Sequence, residues 1–264
     1  MNLPSELPST AFEYSVEAYN TATESTNRMH DDEVAKTFGF RGGLVPGVDV
    51  WAYMTRPCVD RWGPDFLTGG TMSARFSAPV YDGEEVDALL ASDGTLTLSG
   101  PDEGVRASGS ASLANLPDVL TIEATPEASS PVNRSPATRH NLETGTVLNT
   151  LRFTYRRSPA AQYLRDIRET SALYEKGGVC HPGFLARQAN YVLSQTVQLG
   201  PWIHVSTTAH HRALVHDGDD IEVRGIVTKE FERKGHRFVD LNVEISANGV
   251  PAWSASHTAI WKPR

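Results

Sequence analysis

Gly39-Phe40-Arg41-Gly42-Gly43-Leu44-Val45-Pro46-Gly47-Val48-Asp49-Val50-Trp51-Ala52-Tyr53-Met54-Thr55-Arg56-Pro57 is the stretch that decides how this chain is read. A glycine-rich loop leads through a Pro-Gly turn into a mostly apolar helix, whose first amides have no intrahelical partner and are free to bind a group. Proline removes an amide donor, so the helix is expected to end near Pro57. The same design returns in Gly177-Gly178-Val179-Cys180-His181-Pro182-Gly183, which opens a second apolar run over 184–199 that stops at Gly200-Pro201.

The repetition extends beyond the helices. Val80-Tyr81-Asp82-Gly83-Glu84-Glu85-Val86 recurs as Val215-His216-Asp217-Gly218-Asp219-Asp220-Ile221, in each case a turn between two strands. The spacing from Gly47 to Gly183 equals that from Asp82 to Asp217 to within one residue. Pro-Gly and Asp-Gly turns are common singly, but two unrelated motifs held in one register indicate an internal duplication. The expected organisation is therefore a first half over 1–115, a linker over 116–145 rich in Pro, Ser, Thr and Asn, and a second half over 146–264.

With 264 residues, each half is long enough to bury its own core. The net charge of −8 argues against nucleic acid or an anionic membrane surface as partner, since both select basic patches. Two cysteines without paired spacing, Cys58 and Cys180, fit a reducing compartment. No basic, apolar leader opens the sequence and no apolar run approaches the roughly 20 residues needed to span a bilayer, so a soluble cytoplasmic protein is expected.

Along the chain, 1–10 reads as a loose Pro/Ser leader. Alternation predicts a strand over 12–19, and a short acid-started helix follows over 30–38, stopped by Gly39. After the central helix come strands around 71–80, 85–92 and 105–113. The second half repeats the order: a strand over 147–155, a polar helix over 160–175, the second long helix, then strands over 204–214, 220–231, 238–247 and 253–261. The second long helix is apolar on more than one side and should be embedded in a sheet.

A sheet curled around one helix is the hotdog fold, and two in tandem make a double hotdog of the α+β class, with two antiparallel sheets each wrapped around a long central helix. Asn27-Arg28-Met29-His30, followed by Gly39-Phe40-Arg41-Gly42 and Leu44-Val45-Pro46-Gly47, resembles the signature of the MaoC-like, R-specific enoyl-CoA hydratases. The resemblance implies a hydratase or dehydratase acting on an acyl thioester, with CoA the expected handle and an acyl carrier protein the alternative, and with neither cofactor nor metal. It implies His30 as the proton-transferring residue, Asn27 as its helper and the Gly47 amide as the donor to the thioester oxygen. Val45, Trp51 and Arg187 are the expected substrate-binding residues, and Arg187, one turn into its helix, could pair with a carboxylate or a phosphate. One such chain already mimics a dimer of hotdogs, and a homodimer of double hotdogs is a further expectation.

The family's catalytic Asp, five residues before the His, does not carry over: Ser25 stands there, Glu24 replaces Gly and Arg28 replaces Pro. Glu24, Asp31 or Asp32 would have to substitute for it. A rival site in the second half comprises Asp166 or Glu169, His181 and the Gly183 amide, and it would suit a thioesterase, which needs a carboxylate near the helix start. A non-catalytic acyl-thioester-binding or partner subunit is the third reading. Other candidates are weaker: His210 and His211 are neighbours on a strand and face opposite ways, Cys180 reads as a buried structural thiol, and the glycine loop lacks the Lys-Ser/Thr of a phosphate loop. Trp202, Trp253 and Trp261 read as core or dimer contacts.

Overall fold

A computed structural model of the chain describes residues 11–113, 116–125 and 134–264. The expected leader over 1–10 and part of the expected linker lie outside the described residues. The first half runs β1 (Phe12–Glu17), α1 (Asp32–Thr37), α2 (Gly47–Trp62), α3 (Phe66–Gly69), β2 (Gly70–Phe76), β3 (Glu85–Leu90), β4 (Thr95–Ser99) and β5 (Val105–Leu113). The second runs β6 (Leu151–Thr154), α4 (Arg157–Asp166), α5 (Ala172–Glu175), α6 (Pro182–Ser194), β7 (Ile203–His211), β8 (Asp220–Arg233), β9 (His236–Ala247) and β10 (Val250–Lys262).

The strands form one antiparallel sheet in the order β1-β3-β4-β5-β2-β7-β10-β9-β8-β6. Read from either edge inward, the order is the same with numbers advanced by one half. The seam is the β2–β7 pair, centred on Ser73 opposite Thr208. The architecture is a double hotdog whose two sheets join edge to edge, with α2 and α6 packed against the sheet and each other.

The duplicated Asp-Gly turns have matching physical roles. Asp82 Oδ1 accepts the Asn20 amide at 2.7 Å, and Asp217 Oδ1 accepts the Arg157 amide at 2.8 Å. Gly83 and Gly218 take positive φ, 74° and 96°, which the turn requires and other residues resist. Val45 N donates to Val80 O at 2.9 Å and Cys180 N to Val215 O at 2.8 Å, so each turn also anchors the loop that feeds its long helix.

Several elements depart from the sequence reading. Pro57 does not end α2, which continues to Trp62 and closes at Gly63 with φ 59°. The helix is buried on nearly every side, so packing outweighs the one lost backbone bond. The Thr-Leu alternation of 95–99 makes β4, a strand too short to have stood out. The expected helix over 160–175 is two helices, broken where Arg168 takes φ 58° and Ser171 caps α5. The described parts of the linker stretch lie on the second half: Thr125 exchanges bonds with Thr150, Ala137 N donates to Gln198 O at 2.9 Å, and Leu142 is fully buried.

Among the described residues, two ion pairs cross between the halves at the helices. Arg187 on α6 meets the fully buried Asp49 on α2 at 2.9 Å, and Asp49 also accepts from Thr21 at 2.6 Å. Burial works against the Arg187 charge, but Asp49 and Tyr163 together hold its pKa above the ordinary value. Arg56 on α2 reaches Glu169 at 2.9 Å in the opposite direction. Breaking a buried pair from one side leaves an uncompensated charge. Asp49→Ala is therefore expected to destabilise the fold by about 3–5 kcal/mol in chemical denaturation, whereas a loss below about 1 kcal/mol would show that water already screens the pair.

The core also seals neutral histidines. His211 packs on Phe66 and His257 lies on β10; burial pushes the pKa of each down to about 3. Unfolding restores their ordinary affinity for protons, so between pH of about 6.5 and 3 the unfolded chain binds more protons than the folded one. Stability is expected to hold above pH 7 and to fall as pH drops through that window, by up to ~1.4 kcal/mol per unit for each ring. Urea midpoints measured from pH 8 to 4 check this, and His211→Gln should give the shallower decline.

Candidate active site

The loop before α1 is a short 3-10 turn over Arg28–His30, capped by Asn27. Asn27 Oδ1 accepts the Met29 amide at 3.2 Å and the Trp202 amide at 3.1 Å. Both partners can only donate, which fixes the orientation of the side chain. Its Nδ2 then donates to Trp202 O at 3.0 Å and faces His30 Nε2 at 3.2 Å. One amide thus caps the turn, clasps the second half through the Trp202 backbone and positions the imidazole.

His30 is held from its other side. Nδ1 lies 2.7 Å from the Leu44 carbonyl oxygen, which can only accept, so Nδ1 carries the hydrogen. Burial lowers the His30 pKa, with a smaller opposing pull from Leu44. The neutral ring therefore presents the Nε2 lone pair, the form a proton acceptor needs. The His30 backbone is braced as well: Asn20 Nδ2 donates to its carbonyl at 2.9 Å. A Cβ on Gly43 would stand 2.2 Å from that same oxygen, which is why the loop needs glycine there.

His30, Asn27 and Gly47 line one cavity of about 280 Å³. Val45, Val50, Phe76 and Val80 from the first half and Trp202, His204, Phe238 and Ile260 from the second make its walls. Among the described residues no carboxylate lines it. The N-cap of α2 is Pro46, which has no side-chain acceptor, so the first amides of the helix stay uncapped. A second, more polar cavity of about 440 Å³ shares Asn27, His30, Pro46, Asn190 and Trp202, and is bounded further by Glu24, Ser25, Arg187 and Tyr191. His30 and Asn27 stand between the two.

The remaining sequence candidates have other surroundings. Ser25 Oγ accepts the Asn27 amide at 3.1 Å, and Glu24 is exposed at the rim of the polar cavity. Asp31 caps α1 through Val34 N at 3.0 Å and pairs with Arg28. Asp32 accepts the Gly43 amide at 2.7 Å. Val45 lines the apolar cavity, Trp51 is fully buried in the core away from it, and Arg187 is paired with Asp49.

The second-half cluster is closed. His181 Nδ1 accepts the Gly183 amide at 3.0 Å, so the ring of this N-cap fills the place that is open on α2. A Cβ on Gly183 would meet the Tyr163 hydroxyl at 2.2 Å and Ala52 at 2.7 Å. Glu169 Oε2 lies 3.4 Å from His181 Nε2; burial pushes the Glu169 pKa up, but His181, the Ser171 amide and Arg56 outweigh it and the net shift is downward. Asp166 is not brought to this cluster and is bonded instead by Gln162 at 2.6 Å. Both thiols are buried, and burial pushes the pKa of each up, away from nucleophilic use.

Sequence reasoning missed three site residues. Trp202 was assigned to packing, yet its backbone fixes Asn27. Asn190, one helical turn after Arg187 on α6, has a buried Oδ1 without a hydrogen-bond partner among the described residues, where the two cavities meet. His204 abuts Gly47 so closely that a Cβ there would lie 2.8 Å from its Nδ1. Only the i, i+3 spacing of Arg187 and Asn190 could have signalled any of these in advance. Among the described residues no group of three or more His, Cys, Asp or Glu is arranged to hold a metal, and no helix is long and apolar enough to cross a membrane.

No family model matches the chain, and no curated protein does. Solved structures do match. A protein of Chloroflexus aurantiacus J-10-fl, assigned as a MaoC-domain dehydratase, aligns over 97% of this chain and 95% of its own with TM-score 0.65 at 12% identity. Rv0216 of Mycobacterium tuberculosis, described as having a double hotdog fold, aligns over 96% of both chains with TM-score 0.64 at 13% identity. A protein of Lactobacillus plantarum assigned as an oleoyl thioesterase covers 97% of this chain and 98% of its own with TM-score 0.50 at 12% identity. Likeness at these identities extends to the fold: this chain is a double hotdog, an architecture it shares with proteins assigned both as MaoC-like dehydratases and as thioesterases.

Proposed function

We propose that this protein is a hydratase or dehydratase acting on an enoyl or 3-hydroxyacyl thioester, with His30 as the residue that moves the proton. The observation that carries this is the His30 tautomer: Nδ1–H is tied to Leu44 and the Nε2 lone pair is turned toward Asn27, beside a cavity that also takes the uncapped start of α2. In the hydration direction, Nε2 removes a proton from water as the water oxygen bonds to C3. Charge moves to the thioester oxygen, where the Gly47 amide and the helix dipole stabilise it. The imidazolium then returns its proton to C2, so one ring balances the addition of water. Asn27 keeps one N–H on Trp202 O, and the other, which faces Nε2 in the empty site, gives way to the incoming water so that Nε2 can accept its proton.

In this proposal Ser25 stands where the resembling family has its catalytic Asp and braces the turn at Asn27 instead. The acyl chain takes the apolar cavity and the thioester's polar handle takes the cavity on the Arg187 side. Hydrolysis is the weaker reading, because among the described residues the cavity lacks a carboxylate to activate water toward the carbonyl, and Glu169 sits behind a sealed His181.

Water addition to crotonyl-CoA and longer trans-2-enoyl-CoAs tests the proposal. His30→Ala should lower kcat/KM by about 10²–10⁴-fold and Asn27→Ala by about 10²-fold, with both variants folded. No turnover by the wild type across that panel sinks it. Release of free thiol would instead assign a thioesterase, and binding of acyl-CoA without turnover a non-catalytic subunit.

A further inference from the structure

Among the described residues, His204 is the imidazole of the apolar cavity that the proposed chemistry leaves unused. It is buried on β7, pressed against Gly47 on one side and stacked on His257 on the other, with ring centroids 4.2 Å apart. Its Nε2 lies 2.7 Å from Thr207 Oγ1, and the same hydroxyl lies 2.8 Å from His257 Nδ1. At the two ends of this chain, His204 Nδ1 and His257 Nε2 are buried with no hydrogen-bond partner among the described residues.

The hydroxyl has one hydrogen, so it donates to one ring and accepts from the other. Burial pushes both ring pKa values down, that of His257 to about 3 and that of His204 well below its usual value; the neighbouring His257 adds to the His204 shift and the Ser206 backbone opposes it. Each ring is therefore neutral and carries a single N–H. Two arrangements remain. In one, His257 Nδ1–H donates to Thr207, Thr207 donates to His204 Nε2, and His204 carries its hydrogen on Nδ1. In the other, every hydrogen is reversed and an N–H is left on His257 Nε2. His257 does not line the cavity, so that N–H would be sealed without an acceptor, and orphaned buried donors are rarer than orphaned acceptors. In the first arrangement the unpartnered N–H belongs to His204, a residue that lines the cavity, and lies against Gly47 at the start of α2.

We propose that His204 Nδ1–H is a second donor to the thioester oxygen, set beside the Gly47 amide by Thr207 and His257. It would make His204 a catalytic residue contributed by the second half to a reaction otherwise run from the first. It also explains Gly47 by sterics: any Cβ there would collide with the ring that supplies the donor. The inference rests on the acyl-thioester reading of this cavity.

The test uses the full chain and an acyl-CoA analogue with a methylene between sulfur and a ¹³C-labelled carbonyl, which can be neither hydrated nor hydrolysed. Raman difference spectra of the bound carbonyl are compared for wild type, His204→Phe and Thr207→Val, and the His204 tautomer is read by ¹⁵N NMR in the wild-type complex. Expected are a carbonyl stretch lowered in the wild type and largely restored in His204→Phe. Turnover of enoyl-CoA by that variant should fall about 10²-fold in kcat with little change in KM, and Thr207→Val should lie between. An unprotonated Nδ1 in the complex, or an equal carbonyl shift with and without the imidazole, overturns the role of His204 and leaves the hydratase reading standing. If His204→Phe does not fold, the wild-type NMR and Thr207→Val decide. Failure of the wild type both to bind the analogue and to hydrate enoyl-CoA overturns both.

Discussion

The contact between the two central helices is the constraint on which the site depends. Asp49 on α2 is sealed from water, Arg187 on α6 reaches it, and Thr21 completes the shell. A charge pair in low dielectric tolerates little displacement, so it fixes one half against the other. The cavity is built across that junction. His30 comes from a loop of the first half, while Trp202, Asn190 and His204 come from the second. The second half is a wall and a clamp, and the Asn27–Trp202 backbone clasp is where the clamp meets the turn that carries His30.

The duplication makes the asymmetry between the halves informative. Both long helices begin at a Pro-Gly or His-Pro-Gly turn, both are anchored by an Asp-Gly turn, and both could offer amides to an anion. On α6, His181 turns back to accept the Gly183 amide, and Tyr163 and Ala52 crowd the glycine. On α2 the residue in the capping position is Pro46, whose side chain accepts nothing, and a cavity lies in front of it. Fold and site have separated here: two copies of one architecture, one closed by its own cap and one left open.

His30, His204, His211 and His257 sharpen that contrast: burial is the leading cause that lowers the pKa of each, with charged or histidine neighbours adding to it at all but His257. His211 is packed against Phe66 in the core, whereas His30 and His204 border the cavity. Their neutrality is a consequence of desolvation, and what distinguishes them is whether a ring nitrogen faces open space or protein.

The repeat, the two long helices and most strands were legible in the primary structure, because periodicity and turn chemistry are local: Asp82-Gly83 and Asp217-Gly218 announce the same turn wherever they occur. The motif around Asn27 and His30 was legible for the same reason, both residues lying within one turn. Pro57 misled, since the burial that carries α2 past it is a property of the surrounding sheet. The orientation of the His30 ring was settled by tertiary structure, through Leu44, through Asn27 and through a Trp202 backbone 175 positions from Asn27. The closing of the second site and the approach of His204 to Gly47 were decided there too, because which side chain fills the space before a helix end depends on how distant segments pack and not on their order in the chain.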